Sequence, residues 1–450
     1  MSDFDLIVVG TGSAGASAAE AGAKAGRRVA IVDSLPYGGT CQLRGCDPKK
    51  VLVGAAELID WSQRMSGAGA AGEIRIDWAE LMRFKRTFTD PVPQARESEL
   101  RDANVATYHG AARFVDERTI EISNQRFAAR NFVLAAGARP ATLPISGAER
   151  LITSTGFLDL ETLPKRVAFI GGGYIAFEFA HLAARAGAQP VIFQRGPRVL
   201  PGFEASLVDA LVEVSRSIGI DVRVNSAVSG VEAREGSLYV VGSAGESKFA
   251  VPCDLAVHAA GRVADLDALG LDAGGVDRTN KGVAVNQFLQ SRSNPAVYAA
   301  GDCADGGGLP LTPTAAAEGE LAARNILEGN RYGIDFSGLA SIVYTIPSLG
   351  MTGLTQEAAQ QQGLRFSVHQ GDSTDWYSSR RIRARRSCYQ ILVEEKTDRI
   401  LGAHVLGPHT EELINVFSLA IRAGVPAKTL QENLFAYPTG SSDIVEMLRS

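Results

Sequence analysis

The first 33 residues show a block pattern of apolar and small residues that predicts a strand, a turn, a helix and a second strand. An apolar run, DLIVVG, is followed by a glycine-rich turn, a stretch of small residues (SAGASAAEAGAKAG) and a second apolar run, RVAIVD. Apolar runs of this length bounded by glycine are typical of buried strands. The block therefore predicts a β-α-β unit.

The same pattern recurs in the middle of the chain. The apolar run RVAFI is followed by three glycines at 171–173, a helix of mostly small residues and the strand PVIFQR. The first glycine and the end of the second strand are 23 residues apart in both blocks, from Gly10 to Asp33 and from Gly171 to Gln194. Two such units predict two dinucleotide sites, one for a flavin and one for a nicotinamide.

The first turn has the pattern G-x-G-x-x-G at Gly10, Gly12 and Gly15, and Asp33 ends the strand that follows. The glycines let the backbone approach a pyrophosphate at the helix N-terminus, and the carboxylate can accept a hydrogen bond from a ribose hydroxyl. This context favours dinucleotide binding over a turn that only packs a helix against a sheet.

The second turn differs at the ribose position, where Gln194 and Arg195 replace the acid. A carboxylate suits the 2′-hydroxyl of NADH, whereas a guanidinium suits the 2′-phosphate of NADPH. The sequence therefore favours NADPH. The alternative is NADH, with Arg195 as a solvated residue at the end of a strand.

Composition supports a nucleotide-binding enzyme and excludes other classes. Glycine is frequent (48 of 450 residues), and 45 basic residues nearly balance 50 acidic ones, which argues against nucleic acid or an anionic membrane as partner. No apolar run reaches the length of a membrane helix, and the N-terminal residues lack the pattern of a signal peptide. We expect a soluble, cytoplasmic protein.

The pattern also predicts where domains begin and end. PATLPISG at 140–147 has the composition of a linker, residues 259–270 lead back out of the second unit, and from about Phe336 strand-like runs surround one helix. The predicted fold class is α/β, with two Rossmann-like dinucleotide-binding domains and a C-terminal α+β domain. The predicted domains are 1–146 together with 265–335, then 147–264, then 336–450.

Five cysteines are too few, and odd in number, for a disulfide scaffold, but two of them form a spaced pair in the segment GGTCQLRGCDPKK. Cys41 and Cys46 can close a small redox disulfide. A helix N-terminus, Arg44 and the nearby lysines are expected to lower a thiol pKa toward neutrality. Two buried structural cysteines are the alternative, and zinc is disfavoured because no second Cys or His pair stands at ligand spacing.

Seven motifs together resemble the FAD-dependent pyridine nucleotide-disulfide oxidoreductases, which include glutathione reductase, dihydrolipoamide dehydrogenase and mercuric reductase. The resemblance covers essentially the whole chain. The motifs are the two glycine turns, GGTC-x4-C-x-P-K-K at 38–50, Ala135-Ala136-Gly137-x-x-Pro140, Gly261-Arg262, Tyr298-Ala299-Ala300-Gly301-Asp302 and Leu311-Thr312-Pro313.

The resemblance implies FAD on the first unit, NAD(P)H on the second, and a homodimer made through the C-terminal domain. It implies that electrons pass from the nicotinamide through the flavin to a Cys41–Cys46 disulfide, with Cys46 in contact with the flavin and Cys41 attacking the substrate. The residues expected to bind the dinucleotides are Gly10, Gly12, Ser13, Ala14, Gly15, Asp33, Gly39, Thr40, Lys49, Lys50, Ala136, Gly137, Gly171, Gly173, Tyr174, Ile175, Ala176, Arg195, Gly261, Arg262, Gly301 and Asp302.

The resemblance also implies roles for a tyrosine and for an acid paired with a lysine. Tyr174 resembles the ring that covers the nicotinamide pocket. Glu178 and one of Lys49 or Lys50 resemble an ion pair beside flavin N5, where a cation steadies the charge of a reduced flavin.

The resemblance breaks near the C-terminus. Disulfide reductases of the family carry His-Pro-Thr-x-x-Glu there, but this chain has Tyr437 for the histidine and Ser442 for the glutamate, with Asp443 one position later. A phenol of pKa about 10 is a poor general base at pH 7, although it can donate a proton. None of the six histidines stands in the motif, and most are expected at the surface or in satisfied core positions.

Two substrate classes stay open: a small disulfide, with Tyr437 as acid, or an acceptor that needs no histidine, such as a metal ion or quinone. Mercuric reductases also carry tyrosine there, but this chain lacks their C-terminal vicinal cysteines. Glutathione is disfavoured because Glu320 stands where glutathione reductases have an arginine. A flavin-bearing binding protein without turnover is a third alternative, against which the intact cysteine pair argues.

Two groups of residues remain outside these motifs. The arginines at 380, 381, 383, 385 and 386 suit either an anionic partner or a solvated strand face. Cys253, Cys303 and Cys388 are unpaired by spacing and are expected to be structural.

Overall fold

A computed structural model describes residues 3–234 and 236–449 of the chain. Its strands are β1 (Phe4–Val9), β2 (Val29–Asp33), β3 (Val105–His109), β4 (Ala112–Asp116), β5 (Thr119–Ile122), β6 (Gln125–Leu134), β7 (Ala138–Pro140), β8 (Arg166–Ile170), β9 (Gln189–Phe193), β10 (Asp221–Arg223), β11 (Ala227–Arg234), β12 (Ser237–Ala244), β13 (Ser247–Cys253), β14 (Leu255–His258), β15 (Arg262–Ala264), β16 (Val297–Ala299), β17 (Ala340–Val343), β18 (Ser348–Gly353), β19 (Phe366–Asp372), β20 (Cys388–Glu394) and β21 (Ile400–Gly407).

The helices are α1 (Ser13–Lys24), α2 (Gly39–Arg44), α3 (Cys46–Arg64), α4 (Trp78–Thr89), α5 (Val92–Asp102), α6 (Ser154–Leu158), α7 (Tyr174–Arg185), α8 (Ala205–Ser217), α9 (Thr312–Glu328), α10 (Gln356–Gln361), α11 (Tyr377–Arg380), α12 (Thr410–Ala423), α13 (Ala427–Glu432) and α14 (Asp443–Met447). Short 3-10 helices lie at Ala148–Arg150, Asp267–Leu269, Gly301–Cys303 and Gly440–Ser442.

Packing divides the chain into two units, and the first consists of Met1–Lys49, Arg83–Thr142 and Gly261–Asp335. Its sheet has the order β3-β2-β1-β6-β5-β4, with β16 beside β6. β1 pairs in parallel with β2 and with β6. These central strands are buried on both faces, which explains why DLIVVG and RVAIVD are continuous apolar runs.

The chain leaves this unit after β7 and returns at β15, and these two strands pair antiparallel. The first unit is thus discontinuous in sequence, and the predicted interruption of one domain by another stays a prediction. The predicted boundaries themselves, at 146/147 and 264/265, lie a few residues away from the packing boundaries and stay a prediction.

The second unit consists of Lys50–Met82, Leu143–Ala260 and Phe336–Ser450. It contains a parallel sheet of order β10-β9-β8-β14, an antiparallel sheet β11-β12-β13 and an antiparallel sheet of order β17-β18-β21-β20-β19. The parallel sheet carries the second predicted β-α-β unit as β8-α7-β9. The α/β fold class is confirmed, with a parallel β-α-β unit in each of two sheets and a C-terminal α+β segment.

Candidate functional site

The cysteine pair lies where one helix stops and the next begins. Cys41 is in α2, Cys46 is the first residue of α3, and Gly45 separates the two helices. A Cβ atom on Gly45 would lie 2.8 Å from the carbonyl oxygen of Thr40, so only glycine allows the chain to turn this tightly. The turn brings the free thiols of Cys41 and Cys46 within hydrogen-bonding reach of each other.

Each sulfur of the pair has a different polar neighbour. Cys46 is exposed, and its Sγ lies 3.6 Å from Oγ1 of Thr312, the first residue of α9. Cys41 is half-buried, and its Sγ donates to Oδ1 of Asp47 at 3.7 Å. The partially positive N-terminus of α9 favours negative charge on the sulfur that it faces.

The pKa of Cys41 is raised well above the usual thiol range. The hydrogen bond with Cys46 is the largest cause, followed by burial, and the charge of Asp47 adds to both. The lowered thiol pKa expected from the sequence is therefore wrong for Cys41. Burial instead lowers the pKa of the expected activator, Arg44, and the charges that act on Arg44 are those of Asp33 and Arg262. The hydrogen bond with Cys46 and burial both favour the protonated form of the Cys41 thiol.

The first glycine turn has the geometry of a dinucleotide cradle. Gly10 has φ +105°, and a Cβ atom there would lie 2.2 Å from the carbonyl oxygen of Ala135. Gly12 is the N-cap of α1, so no side chain stands between the first helix amides and an approaching group. Gly39 lies against Gly12 so closely that a Cβ on Gly39 would be 2.4 Å from the Gly12 Cα. A backbone cleft of this kind fits the pyrophosphate of FAD.

Asp33, the predicted ribose acceptor, also holds this turn in place. Its Oδ2 accepts from the backbone N–H of Thr11 at 2.8 Å and from the Thr11 hydroxyl at 2.7 Å. Its Oδ1 accepts from the backbone N–H of Leu35 at 2.9 Å. The acid therefore has a local structural role in addition to the role predicted for it.

Residues 301 and 302, which the sequence predicts to bind FAD, lie against a buried acid that sequence reasoning missed. The backbone N–H of Gly301 donates to Oε2 of Glu318 at 2.6 Å. Burial raises the pKa of Glu318 to about 7, against the effect of that hydrogen bond. Burial also raises the pKa of Asp302, and Arg262 opposes it. A charged residue within the small-residue run TAAAEGELAA was the available signal for Glu318.

The second glycine turn, in the other unit, repeats the first. Gly171 has φ +114°, and a Cβ atom there would lie 2.2 Å from the carbonyl oxygen of Ala259. Gly173 is the N-cap of α7, where a Cβ would meet open space. Gln194 Oε1 accepts from the backbone N–H of Gly172 at 3.1 Å, and Arg195 is exposed.

At the start of α7, the predicted nicotinamide-side residues differ in burial. Tyr174 is 45% exposed and Ala176 is buried, with half-buried Ile175 between them. An exposed aromatic ring at the first position of this helix is available to cover a ligand.

Lys50 and Glu178 both contact Tyr344. Lys50 Nζ lies 4.6 Å from the centre of the Tyr344 ring and 3.0 Å from Oε1 of Glu57. Glu178 is buried, and its Oε1 accepts from the backbone N–H of Tyr344 at 2.9 Å. The ion pair expected for Glu178 with Lys49 or Lys50 stays a prediction.

The C-terminal segment that departs from the His-Glu pattern is largely exposed. Tyr437 is 79% exposed and precedes a cis proline. Thr439 and Ser442 cap each other across the short helix that follows. Asp443 accepts from the Ser378 hydroxyl, and burial raises its pKa against the effects of that bond and of the charge of His409. His409, expected only as a surface or core histidine, thus lies near the one acid of this segment.

Part of the arginine cluster has structural partners. Arg385 pairs with the buried Asp60 at 3.4 Å, and Asp60 also binds Arg64 at 2.6 Å and Arg185 at 2.8 Å. Burial opposes ionisation of Asp60, but Arg185 and Arg64 hold its pKa below the ordinary value. Arg386 pairs with Asp372, and Arg383 donates to the carbonyl of Ser66.

Comparison with known proteins decides the family. Residues 4–319 match the family described as pyridine nucleotide-disulphide oxidoreductase, and residues 339–448 match its dimerisation domain. The chain belongs to the pyridine nucleotide-disulphide oxidoreductases. Family membership makes it an FAD- and NAD(P)H-dependent enzyme that passes electrons to a disulfide, and the dimerisation domain supports a homodimer.

Individual relatives are named for different substrates. The chain is 31% identical to a glutathione reductase of Nostoc sp., with 99% of each chain covered. It is 30% identical to a mercuric reductase of Lysinibacillus sphaericus, with 97% of this chain and 80% of the relative covered. A solved structure, the Cu(II) complex of the HOCl-induced flavoprotein disulfide reductase RclA from Escherichia coli, matches with a TM-score of 0.89 and 26% identity over 100% of this chain and 99% of that one.

Membrane-spanning helices and clusters of metal-binding side chains are both absent from the residues that the structure describes. No helix among residues 3–234 and 236–449 is long and apolar enough to cross a membrane. The same residues hold no group of three or more His, Cys, Asp or Glu side chains that could bind a metal ion.

Proposed function

We propose that Cys41 and Cys46 are the redox-active pair of this oxidoreductase and that it reduces a small disulfide. The observation that carries the proposal is the hydrogen-bonded thiol pair in the redox loop (residues 38–50), with exposed Cys46 beside Thr312 and Cys41 half-buried. Bound FAD would supply the passage of electrons from NAD(P)H to this pair.

The two cysteines have different roles in this proposal. Cys46, next to the N-terminus of α9, is the thiolate that faces the flavin in the reduced protein. Cys41 attacks the substrate disulfide, forms a mixed disulfide and releases the first thiol; Cys46 then attacks Cys41, releases the second thiol and restores the internal disulfide.

The remaining predicted residues complete the proposal. The first glycine turn, Asp33, the redox loop and residues 301–302 bind FAD, and the second glycine turn binds NADPH, with Arg195 as ligand of the 2′-phosphate. The FAD domain is 1–146 with 265–335, the NAD(P)H domain is 147–264, and 336–450 forms the dimer interface.

Anaerobic reduction with NADPH tests the roles of the cysteines. We expect a long-wavelength charge-transfer band in the wild type after two-electron reduction and in Cys41→Ser before reduction, while its flavin is oxidised. We expect no band in Cys46→Ser and loss of disulfide reduction in both variants. Cys388→Ser, at a buried position outside the redox loop, is the control and should keep band and activity. A Cys46→Ser protein that keeps the band would contradict the assignment.

Reduction of a thiophilic metal ion is a second candidate. Tyr437 in place of the histidine leaves Cys41 without the usual base, and the mercuric reductase relative and the RclA copper complex show that metal ions bind to proteins of this architecture. NADPH oxidation driven by Hg(II) or Cu(II), but by no disulfide, would favour it. An unchanged rate in Tyr437→Phe would remove the proposed acid role of that phenol.

A further inference from the structure

Asp47 brings a negative charge next to the attacking thiol. Its Oδ1 lies 3.7 Å from Cys41 Sγ, and the carboxylate is exposed in the first turn of α3. A helix N-terminus stabilises a negative charge in its first turn, where Asp47 lies. Within the described residues, no lysine or arginine forms an ion pair with Asp47.

The cations of the redox loop have other partners. The charges that act on Arg44 are those of Asp33 and Arg262, and Lys50 pairs with Glu57. The charged groups that raise the pKa of Cys41 are Cys46 and Asp47. Of the charges that act on the Cys41 sulfur, that of Asp47 is negative and disfavours the thiolate.

We propose that Asp47 sets which substrate charge is preferred at Cys41. The enzyme then reduces cationic and neutral disulfides faster than anionic ones. This inference rests on the proposed role of Cys41. Thiol–disulfide exchange forms a bond between Cys41 Sγ and one substrate sulfur while the substrate S–S bond breaks, and the leaving thiolate takes a proton from solvent. A charge carried close to the attacked sulfur is then close to the Asp47 carboxylate.

Coulomb's law gives the size of the effect. At about 4 Å in water, one unit charge changes a rate about fivefold, in opposite directions for cations and anions. A fivefold gain for the cation and a fivefold loss for the anion give a ratio of about 25 at this distance. A charge carried beyond the attacked sulfur lies farther from the carboxylate, so the preference for a cationic over an anionic reagent is expected to be on the order of tenfold.

Modification of Cys41 by charged methanethiosulfonates measures this preference directly. The full-length flavoprotein with Cys46→Ser leaves Cys41 as the accessible thiol, because the other described cysteines are buried. The same Cys41 thiolate attacks the cationic reagent (trimethylammonium) and the anionic reagent (sulfonate), forms a mixed disulfide with each and releases methanesulfinate. The ratio of their rate constants is therefore independent of the fraction ionised.

We expect the cationic reagent to react about tenfold faster, and Asp47→Asn to reduce that ratio at least threefold. Glu20→Gln removes an exposed helix acid of the same unit outside the redox loop and should leave the ratio unchanged. Equal ratios before and after Asp47→Asn would overturn the proposal, and so would failure of both reagents to modify Cys41.

Steady-state turnover separates this proposal from the proposed function. With NADPH, cystamine (cationic) should be reduced faster than dithiodiglycolate (anionic) by the wild type, and Asp47→Asn should narrow the difference. If no disulfide is reduced while the reagent ratio still responds to Asp47→Asn, the proposed function fails and the charge preference stands. If both disulfides are reduced equally well, the charge preference fails and the proposed function stands.

Discussion

The turn at Gly10 and the turn at Gly171 have nearly the same backbone geometry. They differ in the polar residue at the end of the strand that follows the helix. Both glycines have positive φ, +105° and +114°, and at both a Cβ would lie 2.2 Å from a carbonyl oxygen of the neighbouring strand end. In both, a side chain at the end of the second strand accepts from the amide after the first glycine: Asp33 in one, Gln194 in the other. The strand end thus fastens the turn by the same hydrogen bond in each unit.

The charge of that fastening residue is what differs. Asp33 is anionic, whereas Gln194 makes the equivalent bond without charge and is followed by exposed Arg195. A neutral acceptor holds the turn without repelling a 2′-phosphate, and the guanidinium can bind that phosphate. The hydrogen bond that holds the turn therefore does not depend on the charge of the residue at the strand end.

The largest expected effect comes from adding one methyl group at each turn. Gly171→Ala places Cβ against the Ala259 carbonyl and should lower the rate of flavin reduction by NADPH at least 100-fold while the protein retains its flavin. Gly10→Ala should instead give protein that purifies with little flavin. Absorbance of the purified proteins and stopped-flow reduction measure both outcomes.

Gly54→Ala is the matched control, because a Cβ at that helical position meets open space. It should leave flavin content and reduction rate unchanged. If Gly171→Ala lost flavin as readily as Gly10→Ala, the two turns would not serve separate ligands.

Arg195→Ala removes the guanidinium that follows Gln194 at the second turn, and its expected effect is smaller. Loss of a charge-assisted hydrogen bond to the 2′-phosphate should raise the KM for NADPH about 10-fold and leave the KM for NADH unchanged. Arg234→Ala, which removes an exposed arginine paired with Glu232 in the same unit, is the control. Equal changes for both nucleotides would rule out a role in phosphate recognition.

Glu318→Gln has the smallest expected effect. It removes a buried acid that makes the stability of the first unit depend on pH. Its pKa is raised to about 7 in the folded protein, so the folded state binds this proton more tightly than the unfolded state does. Its contribution to stability is complete below the ordinary carboxyl pKa of 4.5 and is lost as pH rises through about 7. Between pH 5 and 8, Tm should fall by about 1–3 °C more in the wild type than in Glu318→Gln. A parallel fall in both proteins would contradict the assignment.

Much of the fold and of the site was predictable because its determinants are local in sequence. Each glycine turn, its helix and its two strands lie within a few dozen residues, and the pattern shows both period and spacing. The cysteine pair lies within six residues. The α/β class, the two turns and the family were therefore predicted correctly from the chain.

Contacts between distant segments were not predictable. Thr312 reaches Cys46 across 266 positions, and Arg185 reaches Asp60 across 125. The ion network around Asp60 joins Arg64 to Arg185 and Arg385, which accounts for an arginine whose purpose the sequence left open. The expectation of a lowered thiol pKa does not hold for Cys41, because the hydrogen bond with Cys46 and burial, neither of which the sequence shows, raise it.

The sequence alone determined the folding units, the presence of two dinucleotide turns and the redox pair, because glycine geometry and apolar runs act over short stretches of chain. Only the tertiary structure decided which polar groups the two sulfurs meet, with Cys46 beside Thr312 and Cys41 beside Asp47. Electrostatic effects depend on distance and burial, and these are set by the folded chain. The Asp47 carboxylate, six residues from Cys41, acts on that thiol together with Cys46 and burial, whereas the charges that act on Arg44 are those of Asp33 and Arg262.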